Sequence, residues 1–273
     1  MAESQTTHPI YELKVDVSNT SRLFEYYMLK DYIRKNDFVL DIGCNTGTGM
    51  DILSEYSDHI YGIDVVPDLK EILDEKYKDN PKVNYKIVTE GEMDFSDGFF
   101  DIIVANNFIE HVESPDFYLK KFKSLLKPDG KLFLTTVNRE NRLYFWQKPF
   151  NPHHYTEYSV SSLDKILKKH FNHVECFGII KKTPFFPDYL SQASKLKFNI
   201  GVKFPILNFL KRIKRSFIKI KNEPEFKESN ELTVKKIASE KFNIKDFESS
   251  FTYLEINKDD KSKWIELFAI CKK

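Results

Sequence analysis

The sequence predicts an α/β fold: a seven-stranded, mostly parallel sheet with helices on both faces. Short apolar segments alternate with amphipathic segments over residues 37–180. Strands that are apolar almost throughout are typical of a parallel sheet covered on both faces. The chain has 273 residues, of which 41% are hydrophobic, and this is sufficient for one large core.

The predicted elements divide the chain into four segments. An N-terminal helical segment (1–36) contains an amphipathic helix, and the C-terminal segment (246–273) supplies the last strand of the sheet. Between them lie a core (37–180) and an insertion (181–245). The predicted strands are 37–43, 59–65, 83–88, 100–106, 130–137, 173–180 and 263–271, and the predicted helices are 21–34, 46–57, 68–78, 114–127 and 161–171. The charged DDKSK before the last strand predicts an antiparallel neighbour.

Residues 181–245 interrupt the alternation and predict a basic inserted lobe or lid. Lysine and arginine recur between Asp188 and Glu223, a stretch without any acidic residue. In KFPILNFLKRIKRSFIKIK (203–221) the apolar residues fall at helical spacing. We expect a lid helix with solvated lysines. A peripheral contact with anionic lipid is the alternative, and the two are compatible.

Composition excludes several classes of protein. The net charge of +1, from 42 basic and 41 acidic residues, gives no overall attraction to nucleic acid. The three cysteines form no CxxC pair, so they predict neither a metal site nor a disulfide framework. The polar N-terminus and the absence of a long apolar run predict a cytoplasmic protein, with the inner membrane face as a site of peripheral contact. The oligomeric state is left open.

The segment VLDIGCNTGTG (39–49) carries the first chemical signal. Gly43 and Gly47 permit a sharp turn after a strand and the close approach of a ligand. Asp64 ends the next strand, about 20 residues further on, where an acid can hold both hydroxyls of a ribose. This layout predicts a nucleoside-containing ligand at the carboxyl ends of the strands. The alternative is a tight turn with a solvated aspartate.

Two ligands share this layout, a dinucleotide and S-adenosylmethionine. A dinucleotide loop needs a middle glycine so that the backbone can approach the pyrophosphate, and Asn45 occupies that position. Asp41 would oppose a pyrophosphate but suits a cationic amino group. The loop therefore favours S-adenosylmethionine.

The chain resembles the class I S-adenosylmethionine-dependent methyltransferases of the small-molecule branch, which includes ubiquinone-type O-methyltransferases. VLDIGCNTG resembles the first motif of that family, YGIDVVP resembles its second-strand acid, and residues 89–138 resemble the stretch that follows. The resemblance covers roughly residues 37–180 and the final strand. It implies a Rossmann-like fold and S-adenosylmethionine as the cofactor.

The resemblance also implies roles for individual residues. Asp41, Gly43 and Gly47 would contact the methionine end and Asp64 the ribose. Glu90 would accept from the adenine amine. Asn45 departs from the usual glycine, but asparagine tolerates left-handed backbone. The full cofactor-binding set is Asp41, Gly43, Cys44, Asn45, Gly47, Asp64, Val65, Glu90, Gly91, Glu92 and Asn106, with Asn106 on the methionine side.

A base for the acceptor is expected in the loop NPHHYTEYSVSSL (151–163), which lies over the cofactor end of the sheet. Histidine titrates near neutral pH, and His154 is the predicted base, ahead of His153. The alternative is that both histidines bond only the backbone of their own loop. His111, which follows the fourth strand beside Glu110, is the second candidate, with an inward structural hydrogen bond as its alternative.

The pattern Asn-Pro-x-His-x-x-Glu-Tyr (151–158) resembles methyltransferases of cell-surface polysaccharide clusters. It implies O-methylation of a sugar or glycolipid precursor, with a small-molecule or lipid-linked glycan as partner. Thr156 stands where that pattern often has arginine, which puts an anionic-substrate contact in doubt. The alternatives are a quinone-type phenol, a catalytically silent cofactor-binding partner, and RNA modification. RNA is disfavoured because the aromatic residues of 203–221 fall on the apolar stripe.

Overall fold

The computed structural model describes residues 17–149, 151–181, 197–198, 202–203, 205–206, 251–255 and 266–273. The strands are β1 (Phe38–Ile42), β2 (His59–Asp64), β3 (Val83–Ile87), β4 (Phe100–Asn106), β5 (Leu126–Val137), β6 (His173–Lys181), β7 (Phe251–Glu255) and β8 (Glu266–Lys272). The helices are α1 (Val17–Tyr27), α2 (Thr48–Tyr56), α3 (Leu69–Tyr77), α4 (Pro115–Leu125), α5 (Arg139–Arg142) and α6 (Val160–Leu167), with a short 3-10 turn at Ile109–His111.

All eight strands belong to one sheet in the order β3-β2-β1-β4-β5-β8-β6-β7. The first five are parallel, whereas β8 runs antiparallel to both β5 and β6. β7 pairs antiparallel with β6 at the edge. The predicted α/β class is therefore confirmed, with eight strands among the described residues where the sequence predicts seven.

The apolar strands bury side chains on both faces of the sheet. In β4, Ile103 and Ala105 face the core that contains α4 and α6, while Ile102 and Val104 face the core that contains α1, α2 and α3. This two-residue period is the reason that a covered strand is apolar at nearly every position. The helices cover both faces, as predicted.

Several element boundaries differ from the prediction. The first helix ends at Tyr27, where the sequence predicts a helix to residue 34. The fifth strand begins at Leu126, where the sequence predicts a start at residue 130, so the Pro-Asp-Gly segment (128–130) lies inside β5. Leu126 pairs with Phe100 and Lys131 pairs with Ile102, so the extra residues are taken up as a shift in register.

Two predictions lie outside the described residues. They concern the inserted lobe (181–245) and its segment 203–221, of which the structure describes only a few positions. Within the part of the chain that is described, no helix combines the length and the apolar character needed to cross a membrane.

Candidate active site

One cleft of ≈ 390 Å³ lies at the carboxyl ends of β1, β2 and β4. The ends of parallel strands meet at one edge of the sheet, and ligands of open α/β sheets bind there. Its lining combines the glycine loop with the residues after β2, β3 and β4 and with the loop at 151–154. The predicted site residues that line it are Gly43, Cys44, Asn45, Asp64, Val65, Glu90, Gly91, Glu92, Asn106, His111 and His154.

A wider depression of ≈ 580 Å³ runs along the edge strand β3. It shares only Glu92 with the predicted site residues. The cleft at the strand ends is therefore the candidate active site.

The glycine loop turns through three residues of positive φ. Gly43 has φ 73°, Asn45 has φ 46° and Gly47 has φ 81°. Asn45 thus adopts the left-handed geometry that asparagine tolerates, and its Oδ1 accepts from the Thr46 amide at 2.7 Å. The loop keeps its turn without a middle glycine.

The carboxylate of Asp64 is fixed by backbone amides at the end of β2. One oxygen accepts from the Asn45 amide at 2.8 Å and the other from the Val66 amide at 3.0 Å. Asp64 is 8% exposed and lines the cleft. Two further lone pairs remain for ligand hydroxyls, because each carboxylate oxygen accepts more than one hydrogen bond.

Two of the predicted cofactor residues lie behind the loop. Asp41 is fully buried and accepts from the Tyr26 hydroxyl at 3.1 Å, and burial raises the pKa of its carboxyl to about 8. Gly47 precedes α2, and its carbonyl accepts from the Tyr77 hydroxyl at 2.5 Å. Both residues support the shape of the loop, and a direct cofactor contact by either stays a prediction.

The predicted adenine segment carries two exposed carboxylates. The Glu92 carboxylate accepts from the Thr89 hydroxyl at 2.7 Å, which holds the pKa of Glu92 below its usual range. Gly91 has φ 82° and turns the chain between the two acids. Since the Glu92 carboxylate already accepts a hydrogen bond within its own turn, Glu90 remains the better candidate to accept from the adenine amine.

A buried polar cluster lies around Asn106, the residue predicted to line the methionine side of the cofactor. Asn106 Nδ2 is buried and has no hydrogen-bond partner among the described residues. Nearby, Glu25 of α1 accepts from Asn107 Nδ2 at 3.1 Å and from Thr135 Oγ1 at 2.8 Å. Burial and the neighbouring Glu266 raise the pKa of Glu25. No pattern in the sequence points to Glu25, which reaches the site from a separate helix.

Elsewhere along the cleft, hydrogen bonds join the 3-10 turn after β4 to the loop at 151–157. The Glu110 carbonyl accepts from the Tyr155 amide at 2.8 Å, and His111 Nδ1 donates to the His153 carbonyl at 3.0 Å. The rings of His111 and His154 meet edge to face with centroids 4.7 Å apart. The side chain of His153 is exposed, and its backbone carbonyl accepts the hydrogen bond from His111.

Glu110 is a site residue that the sequence did not single out. Its side chain is fully buried, and Oε2 accepts from the Thr136 hydroxyl at 2.8 Å. Oε1 is also buried and has no partner among the described residues. Burial raises the pKa of the Glu110 carboxyl to about 7. Its only signal in the sequence is its position next to His111.

Glu110, His111 and His154 bring potential metal-ligand atoms within 4.8 Å of one another. Two imidazoles and a carboxylate form a donor set that suits a divalent transition metal. The sequence predicts no metal, because the three cysteines form no CxxC pair. A chelator control in activity assays tests that prediction.

Comparison with known proteins identifies the family. The family model for the methyltransferase domain matches residues 16–172, which is more than half of the chain. The ubiquinone biosynthesis O-methyltransferase of Coxiella burnetii is 28% identical over 121 residues, which are 44% of this chain and 52% of that protein. The chain thus spans about half the length of the curated relatives it matches.

Solved structures share the fold at low sequence identity. A SAM-dependent methyltransferase from Thermotoga maritima matches with a TM-score of 0.54 at 15% identity, covering 93% of this chain and 90% of its own. The [4+2]-cyclase SpnF matches with a TM-score of 0.52 at 13% identity, covering 93% of this chain and 80% of its own. Since one of these proteins is a cyclase, the fold alone does not define the reaction.

Proposed function

Because the chain belongs to the S-adenosylmethionine-dependent methyltransferase family, we propose that it methylates a hydroxyl of a small-molecule acceptor bound beside His154. One observation carries this proposal. The same cleft holds nine of the eleven predicted cofactor residues, which we take as its cofactor end, and Glu110, His111 and His154, which we take as its acceptor end. Methyl transfer to a hydroxyl requires a group that takes up the hydroxyl proton, and these residues supply it.

The residues present fit the cofactor. Asp64 offers a fixed carboxylate for the ribose hydroxyls. Asn106 Nδ2 is a buried donor without a hydrogen-bond partner among the described residues, and it can donate to an acceptor such as a carboxylate. The turn at Gly43 lets backbone approach the ligand closely. When bound, S-adenosylmethionine supplies a methyl group on a sulfonium, which is the electrophile of the reaction.

The protein then has two tasks, to align the acceptor and to receive its proton. His154 lines the cleft with a side chain that is only 6% exposed, so its ring is largely shielded from solvent. The loop that carries it is held by the backbone of Glu110 and the ring of His111. We therefore assign the proton to His154 and treat His111 as the residue that supports the loop.

For the acceptor we propose a phenol of the quinone-precursor type as the first class to test. The relatives named for ubiquinone biosynthesis support this choice. A sugar or glycolipid hydroxyl is the second class, and further polar side chains that line the cleft support it. These are Arg22, Glu25, Asn107, Arg142 and Asn151.

Cofactor binding is tested by calorimetric titration with S-adenosylhomocysteine. We expect saturable binding to the wild type and affinity lower by about tenfold to a hundredfold in Asp64→Ala, because hydrogen bonds to a charged group are lost. Asp97→Ala is the matched control, since Asp97 is an exposed aspartate outside the cleft. Wild-type protein that binds no S-adenosylhomocysteine would overturn the proposal.

Turnover is tested with labelled S-adenosylmethionine against a panel of phenols and a panel of sugars, with and without a chelator. His154→Ala should lose about a hundredfold in kcat and keep its affinity for S-adenosylhomocysteine. Equal turnover in the variant would remove His154 from the mechanism. Saturable cofactor binding without turnover on either panel would favour a catalytically silent partner. Loss of turnover with the chelator would contradict the predicted absence of a metal.

A further inference from the structure

A second buried carboxylate, that of Glu157, holds the ring of His154. His154 Nδ1 lies 2.9 Å from Oε1 of Glu157, whose side chain is 0% exposed. The Nε atom of Arg142 lies 3.2 Å from each oxygen of the same carboxylate. These contacts form a chain from Arg142 through Glu157 to the ring that lines the cleft.

We propose that Glu157 is a positioning residue of the methyl-transfer reaction, which fixes His154 as the Nδ1–H tautomer. The inference rests on the proposed function of His154. An ionised carboxylate only accepts hydrogen bonds, so the 2.9 Å contact places a proton on Nδ1. A neutral imidazole carries one N–H, and therefore Nε2 carries the lone pair that can receive the acceptor proton.

Arg142 maintains the direction of the hydrogen bond between His154 and Glu157, in which the histidine donates. A buried carboxylate without a counter-charge is costly and tends to take up a proton. A protonated Glu157 could donate to Nδ1 and so select the opposite tautomer of His154. The guanidinium of Arg142 is always charged and stabilises the carboxylate form.

Backbone contacts bring Arg142 and Glu157 together. The amide of Arg139, at the start of α5, donates to the Tyr158 carbonyl at 2.9 Å, and Asn138 forms a parallel bridge with Tyr158. These bonds tie α5 to the end of the histidine loop. Arg142 at the end of α5 then reaches the residue before Tyr158.

The proton balance is simple. The acceptor oxygen would take the methyl group that bound S-adenosylmethionine supplies, and the sulfur would keep the electron pair of the broken S–C bond. The O–H bond of the acceptor breaks, and an N–H bond forms at Nε2 of His154. The imidazolium that results has the Glu157 carboxylate at its other nitrogen, which stabilises it. The proton leaves to solvent when the product departs.

The tautomer can be measured without any acceptor. Protein labelled with ¹⁵N-histidine and saturated with S-adenosylhomocysteine is examined by long-range ¹H–¹⁵N correlation at pH 8, and His154→Gln identifies the His154 signals. We expect the protonated-type shift at Nδ1 and the unprotonated type at Nε2 in the wild type. Glu157→Gln should give a mixed or reversed tautomer. Glu113→Gln, a change at an exposed glutamate, should leave the wild-type spectrum.

Kinetics provide the second readout. Glu157→Gln should lower kcat about tenfold to a hundredfold with the KM for S-adenosylmethionine within about twofold. Glu157→Asp should recover part of the activity, and Arg142→Lys should lose less than Glu157→Gln.

Several outcomes would overturn the inference. They are an Nε2–H tautomer in the wild type, an unchanged tautomer in Glu157→Gln, or a lower melting temperature of Glu157→Gln with an unchanged kcat. If Glu157→Gln does not fold, the wild-type spectrum and Arg142→Lys decide. Turnover with the Nε2–H tautomer would remove this inference alone. The expected tautomer without turnover on any hydroxyl would remove the proposed function, and with it the role of Glu157 in the reaction.

Discussion

The two ends of the cleft are built by different means. At the cofactor end, positive φ angles at Gly43, Asn45 and Gly47 shape the loop, and backbone amides orient the Asp64 carboxylate. At the acceptor end, the side chain of Glu157 orients that of His154. Backbone geometry depends on residue types close in sequence, whereas side-chain pairing depends on how separate segments meet. The cofactor end is therefore much easier to predict from sequence than the acceptor end.

The largest effect is expected from the substitution of Gly47 at the cofactor end. Gly47→Ala forces alanine into positive φ, and its Cβ would collide with the Tyr77 ring and hydroxyl. We expect a loss of about 2–5 kcal/mol in the free energy of unfolding, together with loss of S-adenosylhomocysteine binding. Denaturant melts and calorimetric titration measure the two effects.

Gly98→Ala separates the effect of backbone strain from that of a steric collision with a neighbouring side chain. Gly98 has φ 68°, and a Cβ there would meet nothing within 4 Å. We expect a loss of about 1–2 kcal/mol and unchanged ligand affinity. Equal losses in the free energy of unfolding of Gly47→Ala and Gly98→Ala would show that the Tyr77 side chain moves away from the new Cβ.

The next effect is a pH dependence at the acceptor end. Burial raises the pKa of Glu110 from 4.5 to about 7 in the folded state. Between these values the folded protein holds a proton that the unfolded chain has lost, so stability falls as pH rises through this window and levels off above it. Glu110→Gln removes this dependence. We expect the variant to gain about 1–3 kcal/mol over the wild type between pH 5 and pH 8.

Melting curves of the wild type and Glu110→Gln across this pH range measure the gain. Glu113→Gln serves as the control, because Glu113 is exposed and should follow the wild type at every pH. A difference between Glu110→Gln and the wild type that stays constant with pH would show that the Glu110 carboxyl does not titrate in this window.

The smallest effect is expected from Asn45→Gly, a change in the loop at the cofactor end. Asn45→Gly keeps the left-handed turn and removes only the side-chain bond to the Thr46 amide. We expect a change of a few tenths of a kcal/mol in stability and affinity for S-adenosylhomocysteine within about threefold of the wild type. A large loss of affinity would mean that the asparagine side chain itself contacts the ligand.

The sequence predicted the family and the fold correctly, because both depend on local patterns. The apolar run of β4 was predicted at its observed bounds, 100–106. The match of the methyltransferase domain to residues 16–172 confirms the family. The pairing of β7 with β6 was not predicted, since it depends on which sheet edge remains available after the chain has folded. The predicted polysaccharide role is not supported by the relatives, whose names favour the quinone-type alternative.

The sequence by itself determined the parallel core, the left-handed loop and the acid at the end of β2. Each follows from residue types at short spacing, where periodicity and backbone sterics are sufficient. Only the tertiary structure decided that Asp41 lies behind the loop and that Glu110 is buried in the cleft. It also decided that Arg142 and Glu157 hold His154. These facts depend on burial and on contacts between segments that are distant in the chain, and local sequence patterns do not encode them.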